Sequence, residues 1–148
     1  MERRAFIQSF APLAALLWWG GCEKSEKKSR CALCGMDITE VEYYAKAIDS
    51  KGRVYEFDDF GCMILYTQKH PLAWSYFVYA RDIGALVDAT KAHYSRTETT
   101  PMHYGFGAYK EEGEGRVSFE EAKEAMLKNE TLANPLFRRV LLKRESIH

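Results

Sequence analysis

Cys31-Ala32-Leu33-Cys34-Gly35-Met36 constrains this chain more than any other stretch, because it sets two thiols and a thioether within six residues. Thiolate and thioether sulfurs are soft ligands that favour Cu(I), and thiolates also hold zinc. Cysteines spaced as Cys31 and Cys34 are have the geometry of a metal clip. A second sulfur-bearing turn, Thr100-Pro101-Met102-His103-Tyr104-Gly105, lies far downstream. The expectation is that the two turns meet in space and hold a metal ion between them.

Three other chemistries suit the same cysteines. A zinc site needs four ligands, which Cys31, Cys34, Cys62 and one of His70, His93 or His103 could supply. A reversible dithiol at Cys31 and Cys34 would act in redox exchange, with Thr100-Pro101 imitating the cis-proline loop beside such motifs. A thioredoxin-type motif opens a helix after a buried strand, however, and here the pair follows a charged stretch and precedes a hairpin. The third is a plain disulfide, Cys31 to Cys34 or either one to Cys62. Met36 favours Cu(I). A lone Met is most often core filler, yet Met36 stands between Gly35 and Asp37, a poor context for burial and a good one for a turn that presents sulfur. A thioether also cannot be lost to disulfide formation in an oxidising compartment. Met102 stands in a similar turn.

The first 22 residues read as a leader. Arg3 and Arg4 are a basic start, and Phe10 to Trp19 is an apolar run too short to span a bilayer. Gly20 and Gly21 before Cys22 look like a bacterial lipoprotein cleavage site, which makes Cys22 the expected lipidated N-terminus, although Trp19 replaces the usual aliphatic residue. Arg3-Arg4-Ala5-Phe6-Ile7 also resembles a twin-arginine export signal. Residues 23–30 (EKSEKKSR) read as a charged flexible tether, and 31–148 as the copper-binding domain. If Cys22 carries lipid, three cysteines remain, an odd number for an exported chain whose thiols usually pair.

The 148 residues are enough for one domain with a core, and nine Tyr, eight Phe and three Trp argue against disorder. Lys and Arg total 21 against 21 Asp and Glu, a balance that gives a nucleic-acid partner no basic face.

Val41 to Ile48 is rich in strand formers, Asp49 to Gly52 is a turn, and Arg53 to Phe57 is the returning strand. Asp58 is the expected cap of a helix over 59–69 that buries Phe60, Met63, Ile64 and Thr67 before Pro71 stops it. Tyr76 to Tyr79 reads as a central strand. Residues 82–94 suggest a short strand near Leu86 and Val87, a helical turn, then a strand from about Tyr94. Thr97 to Thr100 and Glu111 to Gly115 read as loops. Ser118 and Glu121 make a capping box for a helix over 119–128. Asn134-Pro135 opens a last helix, with Leu136, Phe137, Val140 and Leu141 as its apolar side; Arg138, Arg139, Lys143 and Arg144 suit its outer face and C-terminal end, a solvated face ahead of one that meets a membrane or an acidic partner. The whole is α+β, a single domain with a largely antiparallel sheet.

Three blocks, Cys31 to Ile38, Tyr55 to Met63 and Thr100 to Gly105, resemble the NosL family of lipoproteins in order and spacing, over about Cys31 to Met126. The resemblance implies a periplasmic Cu(I)-binding protein built from two related ββα-type units. It implies service in maturing a copper enzyme, nitrous oxide reductase, beside an ABC transporter and its periplasmic partner. It implies Cys34, Met36 and Met102 as ligands, with Cys31 as the other half of the family pair. The histidine-rich tail of some members is missing here.

Cys62 falls near the start of the helix after Asp58, where the dipole favours thiolate. It is a further ligand or relay, or simply a buried core cysteine. His103, beside Met102, is expected next to the ligands, and His93 is expected to be structural. Asp58 and Asp59 suggest no paired-carboxylate catalysis. The leading function is a non-enzymatic Cu(I) chaperone, lipid-anchored on the periplasmic or outer face of a bacterial membrane. The alternatives are a thiol-disulfide reductase acting on a copper protein and a zinc-stabilised binding module.

Overall fold

The computed structural model describes residues 28–147. The leader, the lipidation expected at Cys22, most of the tether and His148 lie outside them.

The first strand begins later than the strand-forming run from Val41 suggests. Val41–Tyr43 closes a single 3-10 turn, in which the Tyr44 N–H donates to the Val41 carbonyl. Strand β1 is Ala45–Asp49, with Ala45, Ala47 and Asp49 pointing inward. Asp49 organises the hairpin that follows: its carboxylate accepts from the N–H groups of Lys51 and Arg53 at 2.9 and 3.0 Å and from Arg53 Nε at 2.7 Å. Gly52 takes the left-handed φ of +79° that the turn requires. Strand β2, Val54–Phe57, returns antiparallel along β1 and delivers the chain directly into α1, Phe60–Lys69.

Strands β3 (Trp74–Ala80) and β4 (Ala85–Asp88) complete a four-stranded antiparallel sheet in the order β2-β1-β3-β4. β3 is central, as its apolar run predicts. After one 3-10 turn, β5 (His93–Ser95) pairs antiparallel with β6 (Gly107–Tyr109) in a second, two-stranded sheet. β6 is too short and too rich in glycine to read as a strand from sequence. The fold is α+β; β1-β2-α1 forms one ββα unit, and the second half sets two hairpins before its helix.

Helix α1 lays Phe60, Met63, Ile64 and Thr67 into the core, on the face its periodicity predicts. Phe60 is the hub: its ring centroid is 4.6 Å from that of Tyr94, 5.3 Å from Phe106 and 6.1 Å from Phe119. The buried Tyr94 hydroxyl donates to the Ala89 carbonyl at 2.7 Å, so its polar end is satisfied. Helix α2, Phe119–Leu127, starts on the Ser118–Glu121 capping box and buries Phe119, Ala122, Ala125 and Met126.

Helix α3, Pro135–Glu145, starts where Asn134-Pro135 predicts, with Asn134 accepting from the Leu136 N–H. Only part of its apolar side faces the core. Leu141 alone of the helix is buried; Leu136 is 80% exposed and Val140 46%. Arg138 Nε donating to the Leu132 carbonyl and Thr97 Oγ1 donating to Glu145 fix the rotation of the helix with Leu141 inward. That turns Leu136, five residues or roughly 140° earlier on the wheel, away from the domain. Among the described residues, no helix is long and apolar enough to cross a membrane.

Candidate metal centre

Cys31 to Met36 folds into a tight knuckle. The Cys31 N–H donates to the Met36 carbonyl and the Gly35 N–H to the Cys31 carbonyl, both at 2.9 Å. Gly35 sits at φ +74°, the left-handed conformation that closes the loop. Arg30 and Asp37 pair across its base, by a β-bridge and by an ion pair at 3.3 Å. The Ala32 N–H donates to the Glu56 carbonyl at 2.8 Å and docks the knuckle on β2. This rotation buries Cys31 and leaves Cys34 half-exposed.

The start of α1 supplies the rest. Asp59, not Asp58, is the N-cap: its Oδ1 accepts from the Gly61 N–H at 2.6 Å. Only one of two adjacent aspartates can occupy the cap position, so Asp58 is left free to face the knuckle. Cys62, in the first turn, points the same way and is buried. One ligand atom from each of Cys31, Cys34, Asp58 and Cys62 lies within 4.8 Å of the other three. All three thiols are free. The cluster therefore unites the expected clip with Cys62 and adds Asp58, which sequence reasoning assigned to the cap. The doubled aspartate was the signal, since a helix has use for one.

The three thiols do not ionise alike. Cys31 is lowered to about 6, first because the Cys62 thiol hydrogen-bonds to it, and further by backbone N–H groups of Cys34, Asp58 and Leu33 aimed at its sulfur. Cys62 is pushed up, by donating to Cys31 and by burial. The shifts favour ionisation at Cys31 over Cys62, against what the position of Cys62 in the first turn of α1 suggests. Cys34 is raised to about 11, chiefly by burial, although the Met36 N–H favours its ionised form. Cys34 Sγ donates to Asp58 Oδ2 at 3.5 Å, while Asp58 Oδ1 is buried with no hydrogen-bond partner. A buried orphan carboxylate oxygen beside three sulfurs is a cation-seeking arrangement.

The second sulfur turn does reach this end of α1. Asp59 Oδ2 accepts from the Met102 N–H at 3.4 Å, and Thr100 hydrogen-bonds to the same carboxyl group, which burial raises to about 6. Tyr104 lies across Gly61 so closely that a β-carbon there would fall 2.2 Å from ring atom Cδ2. Met102 is half-buried and packs against the core, whereas Met36 is 48% exposed beside Cys34. His103 is exposed at φ +60°, its N–H donating to the Thr100 carbonyl. The other two histidines able to complete a zinc set stand elsewhere: His70 stacks on Tyr66, and His93 lies in β5. Among the described residues no histidine joins the cluster. Every described peptide bond is trans, including Thr100–Pro101.

Three thiols, which lose their protons when metal binds, and a carboxyl group fit a thiophilic ion. Cu(I) is satisfied by two or three sulfurs, and Zn(II) by all four donors.

No protein-family model matches the sequence. No curated protein matches it. Among solved structures, the chain is similar to the crystal structure of the copper chaperone NosL from Shewanella denitrificans, with a TM-score of 0.48 and 17% identity. The likeness covers 68% of this chain and 81% of that one.

Proposed function

We propose that the protein is a Cu(I) chaperone that carries the ion as cargo in the Cys31–Cys34–Cys62–Asp58 cluster and passes it to a copper enzyme under assembly. The observation that supports this is the convergence of three free thiols and one carboxylate oxygen of Asp58 within 4.8 Å, on a carboxyl group whose Oδ1 is buried without a partner. Cys31 and Cys62 hold from the buried side. Cys34, half-exposed on its knuckle, is the ligand an acceptor can replace. Met36 at the surface and Met102 on the Asp59-anchored turn are placed on this reading to exchange thioether for thiolate as the ion leaves. Transfer is then ligand exchange: an acceptor sulfur binds Cu(I), the Cu–Cys34 bond breaks, and Cys34 regains its proton.

In this proposal Cys22 carries a lipid that holds the domain on the periplasmic or outer face of a bacterial membrane. The recipient is nitrous oxide reductase or the transporter-linked machinery that assembles it.

Anaerobic titration of reduced protein with Cu(I), against a chromophoric Cu(I) chelator, tests the reading. One equivalent is expected to stay on the protein and to be lost in Cys34→Ser and Cys62→Ser. No retained Cu(I) in the folded protein overturns it.

One observation favours a second reading. Asp58 is a hard oxygen donor, and with three sulfurs it completes the closed four-ligand set of structural zinc. In that case Zn(II), and not Cu(I), raises the thermal midpoint, and no acceptor removes it quickly.

A further inference from the structure

We propose that the outer face of α3 lies on an anionic membrane surface. The helix turns Leu136, Val140 and Ile147 into solvent at 80, 46 and 72% exposure. At 100° per residue, these three and Lys143 fall within a sector of about 60°. Ile147 stays in that sector because its N–H still donates to the Arg144 carbonyl. Arg139 and Lys143 border and interrupt the stripe, both exposed and without an ion pair among the described residues. Helix α3 carries four basic side chains against the single acid Glu145, whereas the rest of the chain has 17 Lys and Arg against 20 Asp and Glu. An aliphatic stripe edged with cations is the composition of a helix that rests in a bilayer interface, with its apolar side chains among the acyl chains and its cationic heads among phosphates.

The chemistry of the stripe selects among occupants. Protein-protein interface cores are enriched in aromatics and depleted in Lys; this stripe has no aromatic residue and Lys143 lies within it. A second copy of the chain, packed about a two-fold axis, would set Arg139 and Lys143 against their own like charges. A bilayer bearing anionic headgroups satisfies both the aliphatic and the cationic side chains. At eleven residues the helix is too short to span and long enough to lie flat. The contact requires neither copper nor a lipid on Cys22.

The test uses the full chain with Cys22→Ser, so that no acyl chain contributes. Because the leader has its own apolar run, the readout is confined to α3: amide hydrogen exchange over 138–147, with vesicles of phosphatidylcholine alone or mixed with phosphatidylglycerol. The expected result is exchange slowed about tenfold or more on anionic vesicles only, from two cations at the surface. Raising salt should relieve it. Arg139→Gln with Lys143→Gln, and separately Leu136→Ser, should abolish the slowing while the thermal midpoint stays unchanged. Four results overturn the proposal: no slowing on either vesicle; equal slowing on both; slowing without lipid as protein concentration rises; and slowing by polyglutamate but not by vesicles. The third assigns the face to a second copy and the fourth to an acidic protein.

Discussion

The Cys34 thiol is hydrogen-bonded to Asp58, Sγ to Oδ2 at 3.5 Å, and the other oxygen of that carboxyl group is buried with no partner at all. An unsatisfied buried acceptor costs about 1–3 kcal/mol. On the proposed reading, a chain that keeps one beside three thiols trades stability of the metal-free protein for affinity. Asp58→Asn should therefore leave the metal-free protein unchanged or about 1 kcal/mol more stable. It should weaken Cu(I) binding by about tenfold or more, as loss of a ligand or of its orienting neighbour does. Urea unfolding and chelator competition on the same sample measure both; a stability loss with affinity intact would mean that Asp58 is merely structural.

Two groups of the site should give metal-free stability a minimum near pH 6. Asp59 is raised from 3.8 to about 6, so its contribution is complete below its unfolded value and is lost as pH rises through 6. Cys31 is lowered from 9.0 to about 6, so its contribution is complete above 9 and is lost as pH falls through 6. Above pH 9 the raised thiols of Cys34 and Cys62 begin to oppose folding. Urea midpoints of metal-free protein should fall from pH 4 to 6 and rise from 6 to 9. Cys31→Ser should abolish the rise and keep the fall.

Gly61→Ala reverses the usual effect of such a change in a helix. Without a neighbour it would gain up to about 1 kcal/mol. Here the new methyl would fall 2.2 Å from Tyr104 Cδ2 and 2.9 Å from Met126 Sδ. Overpacking of that kind costs about 1–3 kcal/mol, so the net is a loss. The displaced Tyr104 carries the Met102 turn with it, and Cu(I) affinity should fall too. In a double-mutant cycle with Tyr104→Leu the two losses should add to less than their sum.

Met36→Ile separates copper from zinc. Its side chain is half-exposed, so stability should change by no more than about 0.5 kcal/mol. Met102→Ile, in a partly buried setting, should cost less than about 1.5 kcal/mol. If thioethers take part in Cu(I) handling, the double variant should lose affinity for Cu(I) or speed of transfer about tenfold, and retain its response to Zn(II). Competition titrations with each ion give the comparison.

Ser118→Ala is the control. It removes one arm of the capping box at the start of α2, where Ser118 Oγ accepts from the Glu121 N–H and Glu121 accepts from the Ser118 N–H. Thermal unfolding should show a loss of about 1 kcal/mol. Cu(I) affinity in the folded protein should not move.

Local chemistry made most elements legible. Gly52 after Asp49, the Ser118–Glu121 box and Asn134-Pro135 each identify a hairpin or helix end, because turn and cap geometry is settled by neighbours in sequence. The Phe60, Met63, Ile64 and Thr67 face was readable for the same reason. β6 was not, since three residues with a glycine become a strand only when Tyr94 and its neighbours lie alongside. The burial of α3 was not readable either: amphipathic spacing fixes which residues share a face, and only the contacts of Arg138, Leu141 and Glu145 decide which face turns inward.

The amino-acid order alone determined that two thiols share a turn and that a cysteine opens a helix. It made soft-metal chemistry available. Tertiary structure decided that these groups are one site, because β2 carries the knuckle and the start of α1 to the same end of the sheet. It also decided that Asp59 caps the helix while Asp58 faces the sulfurs. Side-chain type is a property of each residue, whereas the field around a carboxylate or a thiol belongs to whatever the fold packs against it.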